Sequence, residues 1–456
     1  MKIKTSVTAI SVSALLISAG IDLTNLDNYA LQSKPAYINK DNTGANPIND
    51  KAATLGRVLF YDKKLSAANT IACASCHQQQ FAFGDTARLS TGVTGGLTER
   101  HAMRLVNARF AAETKFFWDE RAATLEFQTT QPIRNHTEMG YSGQNGDQNF
   151  NALISKLSQI SYYNTLFSFA YGDAAITEDR IQKALAQFIR SIQSFDSKFD
   201  AGLSQAGNIN APFANFTALE NQGKGLFLTP PSQGGAGCHG CHRAPEFDIV
   251  PNSKNNGVIA SAGGGPIDIT NTRAPSLRDI FNSSGVINSK LMHNGNFSTI
   301  EQVINHYNKI PFTPGNTNLD PRLTGPGGDL QLTQTEKNAL AAFIKTLSGA
   351  NVYNDPKWSD PFDSYGNLNG TITGITTNQV PEFKLYPNPV HGQLQINIQE
   401  GDYSLRIVSL SGFELLTVDI TSSQSLDLSS FTAGLYFVEI TDRKNGAHSI
   451  KKIVRD

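Results

Sequence analysis

The chain has 456 residues, more than one ordinary core accommodates, so two or three domains are expected. Its 38 basic and 39 acidic residues leave a formal charge of −1, which gives no reason to expect a nucleic-acid partner or a strongly acidic substrate. Hydrophobic residues make up 39 %, enough for packed cores, while 38 Gly and 19 Pro point to many loops.

The N-terminus reads as a secretory signal peptide over residues 1–20. Lys2 and Lys4 are followed by an apolar run from Val7 to Ile17 and then by Ser18, Ala19 and Gly20. The run is too short to span a bilayer comfortably, and no other stretch of about 20 apolar residues occurs, so no transmembrane anchor is expected. With no cysteine near the cleavage region, a lipid anchor there is also not expected.

Two segments follow, residues 45–200 and 201–355, each built around a cysteine pair. The first holds Cys73-Ala74-Ser75-Cys76-His77 and the second Cys238-His239-Gly240-Cys241-His242, which together use all four cysteines. An even cysteine count in an exported chain suggests disulfides, and a lone C-x-x-C is also compatible with a redox pair or half a zinc site. Two complete C-x-x-C-H patterns point instead to covalent c-type haem. The spacing lets two thiols reach the two vinyl groups on one haem edge, and the adjacent histidine offers a nitrogen to iron. Covalent attachment also keeps the cofactor on a protein that leaves the cell.

Between the motifs, Ile181, Leu185, Phe188, Ile189, Ile192 and Phe195 recur at helical spacing and predict an amphipathic helix from about Glu178 to Phe199, with Thr177 as N-cap. Capping boxes predict three more helices, at Thr217 with Glu220, Thr299 with Gln302, and Thr333 with Glu336. In the last, Leu340, Phe343, Ile344 and Leu347 share a face. Residues 356–382 are expected to be a linker. From 383 to 456 the pattern alternates: Leu394, Ile396 and Ile398, then Leu405, Ile407 and Leu410, then Tyr436 to Ile440, which suggests a small β-sandwich.

A second constellation surrounds the first motif. Phe117-Trp118-Asp119-Glu120-Arg121-Ala122-Ala123-Thr124-Leu125-Glu126-Phe127-Gln128 leads to Gln131-Pro132-Ile133 and Glu138-Met139-Gly140, with Arg100–Asn107 upstream. In the second segment, Phe216 to Phe227 leads into the motif, and Ala274-Pro275-Ser276-Leu277-Arg278 and Met292-His293-Asn294-Gly295 follow it. In this order, over about residues 45 to 350, the sequence closely resembles the bacterial di-haem cytochrome c peroxidases, whose superfamily includes the MauG-type enzymes that oxidise a partner protein. The resemblance implies a mainly α fold of two cytochrome c-like haem domains, here followed by the small all-β sandwich. It implies reduction of hydrogen peroxide to water with electrons from a small donor protein or an organic donor.

The family's roles carry over by position. His77 would hold the peroxidatic N-terminal haem and His242 the electron-transfer haem, with Trp118 between them. Gln128, Pro132 and Glu138 would face the open side of the first haem, Gln128 orienting peroxide and Glu138 moving a proton from its near to its far oxygen. The sixth ligand of the second haem is expected at Tyr307, fourteen residues past His293, with Met292 and His306 as alternatives. A phenolate there implies a low potential.

Three departures from the family pattern stand out. The loop 90–98 holds no histidine, which implies an open first haem needing no reductive activation. His101 replaces a frequent calcium-binding asparagine, so an inter-haem calcium ion would depend on backbone carbonyls and water; His101 capping the first iron is the rival. Glu120 stands where glycine is usual.

At the other end, Leu385-Tyr386-Pro387-Asn388-Pro389-Val390, Gly434-Leu435-Tyr436-Phe437-Val438 and Lys451-Lys452-Ile453-Val454 are similar to the type A sorting domains of type IX secretion. That implies the type IX machinery as a partner and delivery to the periplasm, the cell surface or the medium. The rivals to a peroxidase are a MauG-like peroxide-driven oxidase, favoured by Tyr307 and the missing loop histidine, and a non-catalytic di-haem electron carrier, disfavoured by Glu138 and Gln128.

Overall fold

The computed structural model describes residues 20–370, 382–410, 413–443 and 448–456. Apart from Gly20, the expected signal peptide lies outside the described residues, as do 371–381 of the expected linker. The chain divides into two compact units, one ending at Thr371 and the other starting at Ile372. Among the described residues no helix is long and apolar enough to cross a membrane.

The first unit is helical, with long irregular loops. Its helices are α1 (Asp50–Tyr61), α2 (Cys73–Cys76), α3 (Leu125–Thr130), α4 (Phe150–Ser158), α5 (Ser161–Tyr171), α6 (Glu178–Ser191), α7 (Lys198–Ala206), α8 (Ala218–Leu228), α9 (Ile300–Asn308) and α10 (Gln334–Lys345). Two short strands, β1 (His242–Arg243) and β2 (Asp248–Ile249), form an antiparallel pair after the second cysteine motif. Thr177, Thr217, Thr299 and Thr333 cap their helices as the sequence predicts, the last three in complete capping boxes with Glu220, Gln302 and Glu336.

One helix crossing occurs twice along this unit. α1 packs on α6, and α8 packs on α10. A glycine permits each close approach: a Cβ on Gly56 would lie 2.0 Å from the Ala184 carbonyl oxygen, and one on Gly223 1.9 Å from that of Ala339. Phe60 meets Phe188 at the first crossing and Phe227 meets Phe343 at the second, with ring centroids 5.2 Å apart in both. α1 also packs against α2, which carries the first cysteine pair, and α8 packs against the turn that carries the second. The repeated crossing thus provides each motif with a rigid back wall.

The helix expected over Glu178–Phe199 stops at Ser191. Asn107 accepts the Ser194 N–H on Oδ1 at 2.9 Å and donates Nδ2 to the Ser194 carbonyl at 3.0 Å, which holds the following segment out of the helix. Ser197 then starts α7 with a capping box to Asp200. Phe195 still packs, against Phe110 at 5.0 Å, so its helical spacing reflected burial on a different backbone.

The linker expected over 356–382 also differs at its start. Residues 356–370 lie on the first unit as a strap. Trp358 is 2 % exposed. Its carbonyl accepts from Tyr61 Oη at 2.6 Å, and the Ser359 carbonyl accepts from Arg57 Nε at 2.7 Å. The buried Arg57 guanidinium thus bonds to Ser359 as well as to Asp27, which helps to fix this polar-looking stretch.

The second unit is a β-sandwich. Strands β3 (Phe383–Tyr386), β4 (Gln393–Ile398) and β7 (Gln424–Asp427) form one sheet in the order β3-β4-β7. Strands β5 (Tyr403–Ser409), β6 (Glu414–Ile420), β8 (Gly434–Asp442) and β9 (His448–Arg455) form the other in the order β6-β5-β8-β9. Leu394, Ile396, Leu405, Ile407, Val438 and Ile440 fill the core between them. Leu410, grouped with Leu405 and Ile407 in the sequence, lies past the end of β5 and is 71 % exposed.

Candidate active site

The first motif sits on α2 and the turn that ends it. His77 has its Nδ1 3.1 Å from the Phe83 carbonyl, so the ring is held by that side and Nε2 is left to act as a ligand. Phe83 reaches this position by adopting φ +58, and Phe247 after the second motif does the same. Burial holds the His77 ring below the ordinary histidine range and drives His242 down to about 4, so both rings are neutral and offer a lone pair. The four cysteines are unpaired. Burial pushes the Cys73 and Cys238 thiols up to about 12 and Cys76 and Cys241 up to about 11. Half-buried, uncharged sulfur suits a thioether, so both sites fit covalently attached haem.

A cavity of about 200 Å³ opens beside Cys76 and His77 and is also lined by Trp118, Gln128, Pro132 and Glu138. A smaller one of about 70 Å³ adds Cys73 and shares Gln128, Pro132 and Glu138. The structure therefore brings together the residues that the sequence singled out over 118–138. α3, capped by Thr124, presents Gln128, and the turn after it carries Pro132. Glu138 is fixed through its backbone: its N–H donates to Asn135 Oδ1 at 3.0 Å, and its carbonyl accepts from Val93 N–H at 3.0 Å. The second bond comes from the 90–98 loop. Gly92 makes that contact possible, because a Cβ there would lie 1.9 Å from the Thr137 carbonyl oxygen. The Glu138 carboxyl is raised above the ordinary carboxylate range by burial, with Arg121 opposing and Glu99 adding to the shift.

Trp118 lies where the two haem segments meet. Its Nε1 donates to the His101 carbonyl at 2.8 Å, its carbonyl accepts from Arg273 N–H at 2.9 Å, and its ring stands edge-on to His293 at 6.3 Å. Arg100 secures the junction by donating to Asp119 at 2.8 Å and to Asp268 at 2.9 Å. The neighbouring Glu120 adopts φ +55, the conformation that favours glycine, and its Oε1 is buried without a hydrogen-bond partner.

His101 lines the same cavity as His77. Its Nδ1 is 3.1 Å from the Arg88 carbonyl, and its Nε2 is buried with no partner. Burial lowers it to about 4, so it is neutral. The position offers imidazole rather than side-chain oxygen. Among the described residues no group of three His, Cys, Asp or Glu side chains converges.

At the second motif the three alternatives for the sixth ligand meet one residue that the sequence did not single out, Asn256. Its Nδ2 lies 3.1 Å from Tyr307 Oη and 3.3 Å from Met292 Sδ, and its carbonyl is 2.8 Å from His306 Nε2. Tyr307, on α9, is raised above the ordinary tyrosine range by burial and by the nearby Cys241 and Cys238 thiols. Met292 adopts φ +65. Asn256 lies in the loop after β2, where no periodicity marks it. Only the folded chain shows what it touches.

Residues 50–208 match the family described as di-haem cytochrome c peroxidase, and residues 384–455 match the secretion system C-terminal sorting domain. The methylamine utilization protein MauG of Methylophilus methylotrophus is 30 % identical over 318 residues, 67 % of this chain and 84 % of that protein. The cytochrome c551 peroxidase of Nitrosomonas europaea is 26 % identical over 353 residues, 75 % and 90 % of the two chains. The crystal structure of a MauG-like protein associated with microbial copper homeostasis superposes with a TM-score of 0.57 at 29 % identity, covering 72 % of this chain and 98 % of the other.

Proposed function

Because this chain belongs to the di-haem cytochrome c peroxidase family, MauG proteins included, and ends in a secretion sorting domain, we propose that it is an exported enzyme that reduces hydrogen peroxide to water. The N-terminal haem domain, residues 45–200, is the peroxidatic one, and residues 201–355 pass electrons to it from an external donor. The signal peptide takes the chain to the periplasm, and the sorting domain addresses it to the type IX machinery for delivery to the cell surface or the medium. The observation that carries this reading is the cavity shared by Cys76, His77, Gln128, Pro132 and Glu138.

Haem bound through Cys73, Cys76 and His77, and through Cys238, Cys241 and His242, supplies the iron centres that exchange electrons with peroxide and donor. Hydrogen peroxide takes up two electrons and two protons and leaves as two waters. Gln128 orients the bound peroxide by hydrogen bonding. Glu138, in its ionised form, takes the proton from the near oxygen and returns it to the far one, so that water rather than hydroxide departs. Pro132 shapes the turn between them and has no N–H to compete for the ligand. Trp118, with its ring held by the His101 carbonyl and its backbone by the Arg273 N–H, is the contact through which charge crosses between the domains. The 90–98 loop holds no histidine, which supports a first site that is open without reduction; His101 as a cap on the first iron is the rival.

The test is Glu138→Gln in the haem-loaded protein. Peroxide cleavage followed by rapid mixing should slow by about 10²–10⁴-fold with both haem spectra intact. An unchanged rate removes the role of Glu138. A second reading, a MauG-like oxidase, gains support from Tyr307 at the second motif. Steady-state turnover with a reduced small cytochrome, compared with a protein or organic reductant, separates the two.

A further inference from the structure

Asn256 lies where two side chains of opposite ligand character converge. A carboxamide nitrogen carries two hydrogens, so one Nδ2 serves both the Tyr307 oxygen at 3.1 Å and the Met292 sulfur at 3.3 Å. The end of the amide that faces them is fixed. Oδ1 accepts from Val258 N–H at 3.1 Å, so exchanging the two ends of the amide would lose that bond and leave both neighbours without a donor. The Asn256 backbone is held as well, by His306 Nε2 at its carbonyl. This bond commits His306 Nε2, while Asn256 Nδ2 reaches the other two candidates, Tyr307 and Met292.

On the reading that Tyr307 serves the second haem, we propose that Asn256 is a positioning residue that selects it over Met292. A hydrogen bond from an amide to an anionic phenolic oxygen is charge-assisted and strong, whereas one to a thioether is weak. The same group therefore supports oxygen as ligand and occupies a lone pair of the competing sulfur. Met292 is held apart in other ways too. Its backbone has φ +65, which a long side chain rarely adopts. The next two residues are anchored, His293 by His101 N–H donating to its carbonyl at 2.7 Å, and Asn294 by its Nδ2 donating to the Ala260 carbonyl at 3.0 Å. Without the Asn256 donor, oxygen loses its support and sulfur is released.

The experiment uses the full haem-loaded protein with Asn256→Leu, Asn256→Asp, Tyr307→Phe and the double variant Asn256→Leu/Met292→Leu. The readouts are the electron paramagnetic resonance and visible spectra of the second haem and its reduction potential. Asn256→Asp keeps size and the Val258 contact while removing the donor, so it stands if the leucine variant folds poorly. Both single Asn256 variants should lose the tyrosine-ligated signature, and Asn256→Leu should also shift the potential upward and gain a sulfur-to-iron band that the double variant lacks. If Tyr307→Phe changes the spectrum while both Asn256 variants match the parent protein, the selection role is overturned and the ligand assignment stands. If Tyr307→Phe leaves the spectrum unchanged, both are overturned. Peroxide cleavage measured on the same samples reports separately on the peroxidase reading.

Discussion

Glu138 combines a carboxyl in the wall of a cavity with a backbone tied on both sides, by Asn135 and by Val93. Its raised pKa has a kinetic consequence. The group must be ionised to take the first proton, and burial makes ionisation harder, so the rate should fall as pH drops through a value above the ordinary carboxylate range. The pH profile of peroxide cleavage should show that acid limb, and Glu138→Gln should abolish it along with most of the rate. A limb that persists in the variant belongs to another group. This site was legible in the sequence because its residues form an ordered motif within 118–138. Asn256 was not legible: it lies in an aperiodic loop and matters only through side chains brought to it by α9 and by the Met292 turn. His101 was half legible, since its position drew notice but its unpartnered Nε2 needed the fold.

Two glycines of α8 separate packing from propensity at the level of the helix. Gly223 faces α10, where a Cβ would meet the Ala339 carbonyl oxygen at 1.9 Å; Gly225 is exposed, and a Cβ there would meet nothing within 4 Å. Gly223→Ala should force the crossing apart and cost about 1–3 kcal/mol or more, because backbone must move. Gly225→Ala should instead stabilise by about 0.5–1 kcal/mol through helix propensity. Thermal unfolding of the two variants should therefore move in opposite directions, and a shared direction would show that α8 does not carry the second domain. Helices with a capping box and a complete apolar face were readable from sequence, α10 being the clearest. The end of α6 was not. Ile192 and Phe195 keep helical spacing, yet Asn107 from a distant loop binds Ser194 on both sides and ends the helix. A tertiary hydrogen-bond pair outweighed a local pattern.

For the whole molecule, the division at 371/372 separates a cofactor-binding body from an address. The sandwich has its own core, from Phe383 to Ile453, and the first unit holds a separate one around the second cysteine motif, from Phe199 to Leu347. A chain ending after Gly370 should therefore keep both haems, its unfolding midpoint and its peroxide rate, while losing its route out of the periplasm. The place of the cut matters, because the strap before it belongs to the first unit. A chain ending after Asp355 keeps Tyr353, whose hydroxyl donates to the Phe281 carbonyl in the second core, but removes Trp358, which is 2 % exposed, and takes the Ser359 carbonyl from the buried Arg57. Loss of the tryptophan alone costs about 3–5 kcal/mol, and the buried Arg57 guanidinium, left with Asp27, also loses its bonds to Ser359. The first haem should then load poorly while the second, whose core lies elsewhere, loads normally. Haem stoichiometry by mass and pyridine haemochrome absorbance reads this directly, and two fully loaded sites in the shorter chain would mean that the strap only covers a surface stable without it.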